Sequence, residues 1–267
     1  MIFKSSVPMS RLCTKTELES AQFQRWAGVL REPHMVLHRK LWEWCFITDV
    51  LHQEQMLEDG KNGLGFAVGR EPLVSYFASL GADILASDLD VEKAATAGWV
   101  GSNEHAASLE ILNERNICSP DLFAKKVRFK EVDMNNFFVN ELGQFNFVWS
   151  SCAFEHLGSL EHGLKFVENA MDCLKSGGLA VHTTEFNVGS NDLTHEDGGT
   201  VIYRRRDIDD LVGRLLKAGH KVRVKYNFGD QPADYNVDVP PYTHDVHLKL
   251  HLMGHTTTSI GLVIRKK

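Results

Sequence analysis

Apolar residues recur at two different spacings along the chain, and the spacing changes near residue 58. Before that point they repeat every three to four residues, as on one face of an amphipathic helix. After it, short apolar runs alternate with helix-like stretches. The helical positions are Leu18, Phe23, Trp26 and Leu30, followed by Leu41, Trp44, Ile47, Val50 and Leu51. The pattern predicts a helical cap over residues 1–58 and a second domain over residues 59–267.

Strands separated by helices predict a parallel sheet covered on both faces. The second domain is therefore expected to be a three-layer α/β sandwich with a mostly parallel, seven-stranded sheet. Near the end, residues 247–252 and 259–265 lie close enough to form an antiparallel hairpin. The predicted inner strands are 63–68, 83–87, 127–133, 145–150, 179–184 and 222–226, and the predicted helices are 72–80, 91–97, 160–174 and 207–218.

A glycine-rich turn follows the first predicted strand of the second domain. Gly65 and Gly69 would let a ligand approach the backbone, and a helix beginning at Pro72 would direct its N–H groups toward that ligand. Asp88 ends the next strand, where nucleotide-binding sheets hold ribose hydroxyls. These features indicate a Rossmann-like domain that binds an adenosine-containing cofactor.

Five motifs, in order and at normal spacing, resemble the class I S-adenosylmethionine-dependent methyltransferases. They are Gly65-Phe66-Ala67-Val68-Gly69, Asp88, Val132-Asp133-Met134, the strand Phe147-Val148-Trp149-Ser150-Ser151 with its continuation Phe154-Glu155-His156, and Leu174-Lys175-Ser176-Gly177-Gly178. The resemblance implies S-adenosylmethionine as cofactor, bound by Gly65, Phe66, Ala67, Val68, Gly69, Asp88, Leu89, Asp133, Met134, Ser150 and Ser151. Overall, the chain is also similar to bacterial methyltransferases of surface-polysaccharide (glycan) biosynthesis.

The glycine turn departs from the family pattern at two positions. Ala67 replaces the middle glycine, which is expected to be tolerated if its φ stays negative. Gly63 stands where the family usually has an acid that contacts the methionine end of the cofactor. The cofactor's amino group would then need another partner, either backbone carbonyls or the N-terminal helices.

Methyl transfer to a hydroxyl needs alignment with the sulfonium and a group that removes the proton. Such a base is expected at the carboxyl ends of the fourth and fifth strands. The candidates are His156 after the fourth strand, Glu185 after the fifth, and His195 in the loop beyond it. The alternative for His156 is a packing role beneath the cofactor.

Arg204, Arg205 and Arg206 form a basic run that could bind an anionic acceptor through bidentate contacts. The alternative is a solvated turn paired with the acids that follow the run. Tyr242 is a further substrate-binding candidate, although its Pro-Pro-Tyr segment lies too far downstream for the signature of amino-methylating nucleic-acid enzymes. Tryptophans 26, 42, 44 and 99 could stack on an adenine or sugar ring, but helical tryptophans more often lie in the core.

No compact metal motif is present, so no metal is predicted; His244 and His247 are weak candidate ligands. A formal charge of −6 and a pI near 6.1 disfavour nucleic acid as a partner. Five scattered cysteines and the lack of a signal or membrane-spanning pattern favour a cytoplasmic protein. The pattern leaves the oligomeric state open.

The predicted function is methyl transfer to a hydroxyl of a small polar or anionic metabolite or glycan precursor. Two alternatives remain open: a protein or RNA methyltransferase, and a non-catalytic subunit that binds the cofactor. A nicotinamide-dependent dehydrogenase is the rival from another class, because Gly63, Gly65 and Gly69 could form a dinucleotide turn. The absence of a second mononucleotide-binding half counts against it.

Overall fold

The computed structural model describes residues 7–32, 36–96, 101, 105, 106 and 108–267. The helices are α1 (Lys15–Leu18), α2 (Ala21–Val29), α3 (Arg39–Gln53), α4 (Leu73–Ser79), α5 (Val91–Thr96), α6 (Pro120–Lys126), α7 (Val139–Leu142), α8 (Leu160–Ala170) and α9 (Arg205–Lys217). The strands are β1 (Ser10–Leu12), β2 (Asn62–Phe66), β3 (Asp83–Asp88), β4 (Val127–Glu131), β5 (Phe145–Ser151), β6 (Gly158–Ser159), β7 (Leu174–Asn187), β8 (Asp197–Gly198), β9 (Lys221–Val222), β10 (Val224–Lys225), β11 (Val237–Asp238), β12 (Lys249–Leu252) and β13 (His255–Arg265). Short 3₁₀ helices lie at Glu110–Asn113, Phe154–His156, Met171–Cys173 and Pro232–Tyr235.

Five parallel strands form the centre of the sheet, in the order β7, β5, β2, β3, β4. The chain passes from β2 outward to β3 and β4, and then from β5 outward to β7. The direction therefore reverses between β2 and β5, and a crevice at such a reversal is where open α/β sheets bind ligands.

The main sheet has eleven strands among the described residues, four more than the seven predicted. Strand β13 runs antiparallel to β7, and the short strands β1, β9, β10, β11 and β12 extend the sheet beyond it. Strands of two to four residues are too short to show an alternating pattern, which is why the sequence did not reveal most of them. β6 and β8 form a separate two-stranded pair.

Both faces of the sheet are covered, because successive side chains of a strand point to opposite sides. On β5, Phe147 and Trp149 belong to one hydrophobic cluster and Val148 to the other. The first cluster includes residues of α3, α4 and α6, and the second includes residues of α8 and α9. The result is the three-layer α/β arrangement that the sequence predicts.

The described part of the predicted cap is tied to the sheet. It is not wholly helical, since β1 pairs with β13. In α3, Trp42 and Phe46 share a hydrophobic cluster with Val181 and Val263 of the sheet. Phe46 packs so closely on Gly261 that a Cβ at this glycine would overlap its ring. The domain boundary at residue 58 stays a prediction.

Strands β12 and β13 pair in antiparallel register near the C-terminus, with Leu250 opposite Thr257. The second strand begins at His255, four residues before the predicted start at 259. It is also far longer than its partner, and most of it pairs with β7 instead. In the described part of the chain, each helix is too short or too polar to cross a membrane.

Candidate active site

A cleft of about 710 Å³ opens beside the carboxyl ends of β2, β3, β5 and β7. This is the position that the reversal of strand order predicts for a ligand. Loops after four strands and the start of α3 contribute to its walls. Residues that line the cleft include Arg39, Lys40, Trp44, Ala67, Gly69, Glu71, Asp88, Leu89, His105, Asp133, Met134, Ser151, Cys152, Glu155, His156, Glu185 and Thr200.

The glycine turn after β2 forms one wall of the cleft and contradicts one expectation. Ala67 has φ +45°, and Gly69 has φ +51°. The condition under which an alanine was expected to be tolerated here, a negative φ, is therefore not met. Val68 N–H donates to the carbonyl of Ser87 (2.9 Å), which ties the residue after Ala67 to β3. A left-handed conformation costs a non-glycine residue about 1–2 kcal/mol.

Aromatic side chains of β5 explain why β2 carries glycines. A Cβ on Gly63 would overlap the ring of Phe147, and one on Gly65 would overlap Trp149. Gly63 lies inside β2, opposite Ile84 and Phe147, so no acid could be placed there without removing the ring. The missing family acid is thus a consequence of packing between neighbouring strands.

Asp88 ends β3 at the cleft with its carboxylate held by backbone groups. It accepts hydrogen bonds from the N–H groups of Gly69 (3.0 Å), Leu89 (2.8 Å) and Ala106 (3.2 Å). Burial raises its pKa above the ordinary aspartate value, while these bonds favour the charged form. A carboxylate offers about four acceptor positions, so one remains for a ligand hydroxyl.

Beyond Asp88, the cleft is bordered by residues that suit a flat heterocyclic ring. Asp133 and Met134 line it, with Asp133 accepting from Asn135 N–H (2.9 Å) and lying 3.3 Å from Lys93 Nζ. On the other side, His105 Nε2 lies 2.7 Å from the carbonyl oxygen of Leu89. Met134 is 6% exposed. This wall of the cleft therefore combines the apolar side chain of Met134 with the carboxylate of the preceding residue, Asp133.

The start of α3 brings two cations to the opposite end of the cleft. Arg39 Nη2 forms an ion pair with Glu185, and its Nη1 contacts Glu43 (3.2 Å). Lys40 Nζ pairs with Glu71 (2.7 Å) and lies 3.6 Å from Glu43. Cations at a helix N-terminus oppose the helix dipole, so these acids must supply the compensating attraction.

Buried acids form the floor of the cleft between β5 and β7. Glu185 is 3% exposed and Glu155 is fully buried. Burial raises the pKa of Glu185 to about 7, although the Arg39 guanidinium opposes this shift. Thr184 Oγ1 donates to Glu155 (3.0 Å), and Cys152 adds a thiol whose pKa burial raises well above its usual value. A carboxylate with a pKa near neutrality can act as a general base.

The three predicted catalytic residues are only partly brought together. Glu185 and His156 line the cleft, and His156 Nδ1 lies 2.9 Å from the Gly199 carbonyl and 3.2 Å from Thr200 Oγ1. Because a carbonyl can only accept, Nδ1 carries the proton in this contact and the basic nitrogen is Nε2. His195 is not among the residues that line the cleft.

The arginine run serves α9 and not the cleft, so its predicted role in substrate binding is not supported. Arg204 is 4% exposed, precedes the first helical turn and binds Asp207 (2.9 Å) and Glu196 (2.7 Å). Arg205 lies over the ring of Tyr226 (4.9 Å), and Arg206 N–H donates to Asn191 Oδ1 (2.8 Å). Acids on both sides of the run, Asp192 and Glu196 before it and Asp207 and Asp209 after it, pair with the three arginines.

Tyr242 and the late histidines lie beside the cleft. Tyr242 donates to the carbonyl of His251 (2.8 Å) and does not line the cleft. His244 and His247 lie near His38, and one nitrogen of each comes within 4.8 Å of the others. However, His38 Nδ1 accepts from Lys40 N–H (3.0 Å), so in this arrangement its other nitrogen carries the proton and cannot bind a metal.

The predicted cofactor residues divide into two groups. Seven line the cleft: Ala67, Gly69, Asp88, Leu89, Asp133, Met134 and Ser151. Four do not, namely Gly65, Phe66, Val68 and Ser150. Gly65 and Phe66 lie within β2, Val68 packs against the α-carbon of Gly65, and Ser150 Oγ is held 2.8 Å from His182 Nδ1. These four shape the cleft from behind.

The predicted site residues do not include the charged groups of α3, although the sequence carries two signals of them. Arg39 and Lys40 begin a helix where cations are unfavourable, and Glu43 interrupts an apolar run. Both anomalies indicate buried ion pairs. Of the tryptophans, Trp44 lines the cleft and residues 26 and 42 are buried, whereas residue 99 lies outside the described part.

Comparisons with known proteins identify the fold. No protein-family model matches the chain, and no curated protein matches its sequence. Among solved structures, magnesium protoporphyrin IX methyltransferase from Synechocystis PCC 6803, determined with bound S-adenosylhomocysteine, superposes with a TM-score of 0.52 at 10% identity, over 94% of this chain and 97% of that one. The fold is that of the S-adenosylmethionine-dependent methyltransferases.

A Galdieria sulphuraria protein, assigned as a sarcosine dimethylglycine methyltransferase, also has a TM-score of 0.52. It is 13% identical over 83% of each chain. The predicted cofactor agrees with the S-adenosylhomocysteine bound in the Synechocystis structure. The residues of the cleft fit the parts of that cofactor: a carboxylate for the ribose at Asp88, a polar–apolar pair for the adenine at Asp133 and Met134, and charged groups from α3 for the methionine end.

Proposed function

We propose that the protein is an S-adenosylmethionine-dependent methyltransferase that acts on a hydroxyl of a small polar molecule. The observation that carries the proposal is the cleft itself. Asp88, Asp133 and Met134 lie at the end that would bind the cofactor. Glu185, a buried carboxylate whose pKa burial raises to about 7, lies at the end that would bind the acceptor. Seven of the predicted cofactor residues line the same cavity.

The methionine end of the cofactor would lie near the start of α3. Lys40 and Arg39 offer positive charge for its carboxylate, and Glu71 offers a carboxylate for its ammonium. Glu71 would thereby replace the acid that Gly63 lacks. The cofactor's amino group would then find its partner in the turn after Gly69, and the cations of the N-terminal helix α3 would lie beside it.

Glu185 is the base that we propose for the acceptor hydroxyl. S-adenosylmethionine, when bound, would supply an electrophilic methyl group, and the Glu185 carboxylate would accept the proton that the acceptor hydroxyl loses as its oxygen takes that methyl group. The products are the methyl ether and S-adenosylhomocysteine. His156 would instead orient the acceptor, because the contacts of its Nδ1 with Gly199 and Thr200 hold the ring in place. Its Nε2 nitrogen makes His156 the alternative base.

The acceptor is proposed to be neutral or cationic, and not anionic. The arginine run that suggested an anionic acceptor is paired with acids away from the cleft, whereas buried carboxylates dominate the floor. A glycan precursor remains compatible with this cleft only if it lacks a negative charge near the reacting hydroxyl. A macromolecular acceptor has no support from any described surface feature.

Calorimetric titration with S-adenosylhomocysteine tests the proposal. We expect binding, and we expect Asp88→Asn to weaken it about 10- to 150-fold, which corresponds to about 1.5–3 kcal/mol for a charged hydrogen bond. Asp90→Asn is the matched control, because Asp90 caps the backbone of Lys93 and does not line the cleft. Binding of NADH without any response to S-adenosylhomocysteine would contradict the proposal.

A further inference from the structure

Glu155 is a buried carboxylate whose charge lacks a partner among the described residues. Its side chain is fully buried and lines the floor of the cleft. One oxygen accepts from Thr184 Oγ1 (3.0 Å), and the other, Oε1, has no hydrogen-bond partner in the described part of the chain. An unpaired buried carboxylate is costly, so a ligand that supplies a positive charge would be strongly favoured.

The surrounding charges leave this excess uncompensated. Four carboxylates, those of Glu43, Glu71, Glu155 and Glu185, meet two cations from α3 within the described structure. The methionine end of the cofactor would add one net positive charge, from its sulfonium, ammonium and carboxylate. One negative charge then remains, and Glu155 is the carboxylate that neither cation reaches.

The spacing of the floor residues limits what the cation can be. Oxygens of Glu155 and Glu185 lie within 4.8 Å of each other and of Cys152 Sγ. Arg39 already contacts both Glu185 and Cys152 (3.5 Å), so a divalent metal held by these three ligands would face a fixed guanidinium. A singly charged group that lies on the Glu155 side avoids most of this repulsion.

We propose that the acceptor carries a protonated amine next to the hydroxyl that is methylated, and that Glu155 binds this amine. An ammonium has only donors, which matches an unpartnered carboxylate oxygen. With Glu155 on the amine and Glu185 on the neighbouring hydroxyl, the chemical class is a vicinal amino alcohol, such as an amino sugar. This inference rests on the proposed methyltransferase function.

The first test compares amino alcohols with diols of the same shape. Full-length protein is assayed for release of S-adenosylhomocysteine with 2-aminoethanol against ethylene glycol, trans-2-aminocyclohexanol against the cyclohexanediol, and glucosamine against glucose. We expect kcat/KM to favour the amine about 10- to 150-fold, the range for a hydrogen bond to a charged group. Glu155→Gln should remove the preference, because it keeps the shape and loses the charge.

Glu161→Gln is the matched control, since Glu161 is an exposed acid of α8 that pairs with Arg214 (2.7 Å). It should keep the full preference for amines. Diols that react as well as their amine counterparts, or a preference that survives in Glu155→Gln, would overturn the proposal.

The second test does not depend on turnover. Crystals grown with S-adenosylhomocysteine are soaked in thallium(I), an ion of ammonium size that gives an anomalous signal. We expect a peak against Glu155 in the wild type and none in Glu155→Gln. Bound S-adenosylhomocysteine without a thallium peak would overturn the amine site alone, whereas failure of S-adenosylhomocysteine to bind would overturn the proposed function.

A titration with manganese(II) is the third test of the amine site. Tight binding of Mn²⁺ that Glu155→Gln abolishes would show that the floor holds a divalent metal, and the amine site would then be wrong. If no compound of the panel is methylated, the thallium and manganese results decide the question by themselves.

Discussion

The two ends of the cleft are stabilised in different ways. At the cofactor end, the Asp88 carboxylate is held by three backbone N–H groups from nearby turns. At the acceptor end, side chains hold each other: Arg39 of α3 binds Glu185 of β7, 146 residues away. Backbone donors remain when a neighbouring side chain changes, whereas an ion pair is lost with either partner. The acceptor end should therefore be the more sensitive to single substitutions.

The largest effect on stability is expected for Arg39→Leu. The change leaves Glu43 and Glu185 buried without their guanidinium, and breaking a buried pair in this way costs about 3–5 kcal/mol. Urea denaturation monitored by circular dichroism gives the free energy of unfolding. Arg214→Leu is the control, because its pairs with Glu161 and Asp210 are partly exposed and are expected to contribute less than about 1 kcal/mol. Equal losses in the two variants would remove the distinction between the ends.

Glu185→Gln should reduce turnover about 10²- to 10⁴-fold while leaving the affinity for S-adenosylhomocysteine unchanged. The proposed base is the ionised carboxylate, which is present above its pKa, so wild-type kcat/KM should rise with pH through about 7 and then level off. His156→Gln is the comparison variant and should retain that pH profile. A profile that shifts in His156→Gln and persists in Glu185→Gln would assign the base to His156.

Gly63→Ala tests the packing behind the cofactor end. The added methyl would overlap the ring of Phe147, and overpacking of this kind costs about 1–3 kcal/mol of unfolding free energy. Gly213→Ala in α9 is the control, because a Cβ there meets no atom within 4 Å and should stabilise the helix by up to about 1 kcal/mol. If Gly63→Ala is also stabilising, the Phe147 ring can move aside, and its packing does not explain why residue 63 lacks an acid.

The smallest effect is expected for Ala67→Gly at the glycine turn. Glycine tolerates the positive φ, so the substitution should stabilise the fold by about 1 kcal/mol. Ala95→Gly in α5 should have the opposite sign and cost about 0.8–1 kcal/mol, since it lies in a helix. Thermal denaturation of the two variants side by side measures both signs. Destabilisation by Ala67→Gly would mean that its methyl group makes contacts that outweigh the strain.

The cofactor end could be located from sequence because its residues lie at or just beyond the ends of strands. Asp88 is predicted from its place at the end of a strand after the glycine turn, and Asp133 from the family resemblance; parallel strands bring such positions to one edge. What the sequence could not provide was the backbone angle at Ala67, since the hydrogen bond that ties the next residue, Val68, to Ser87 joins two separate elements.

The acceptor end was only half predicted, for a physical reason. The sequence places Glu185 just after the predicted fifth strand; in the structure it lies inside β7 and lines the cleft. Its partner Arg39 lies on a helix distant in sequence, and ion pairs between distant segments leave no local pattern. Conversely, three adjacent arginines predict either an anion-binding group at Arg204 or a turn paired with neighbouring acids, and the contacts agree with the second alternative. The acids that pair with Arg204 lie three residues after it and eight before, close enough to satisfy it locally.

The pairing of β1 with β13 has a consequence for how the chain acquires its structure. Ser10 Oγ accepts from Val263 N–H (2.9 Å), so one of the first strands is fixed by one of the last. Contacts between residues so far apart in sequence raise the contact order, and folding slows as contact order increases. During synthesis, β1 can join the sheet only after β13 has emerged from the ribosome. Helix α3, which lies downstream of β1, packs against β13 and carries Arg39, would therefore complete the cleft late in folding.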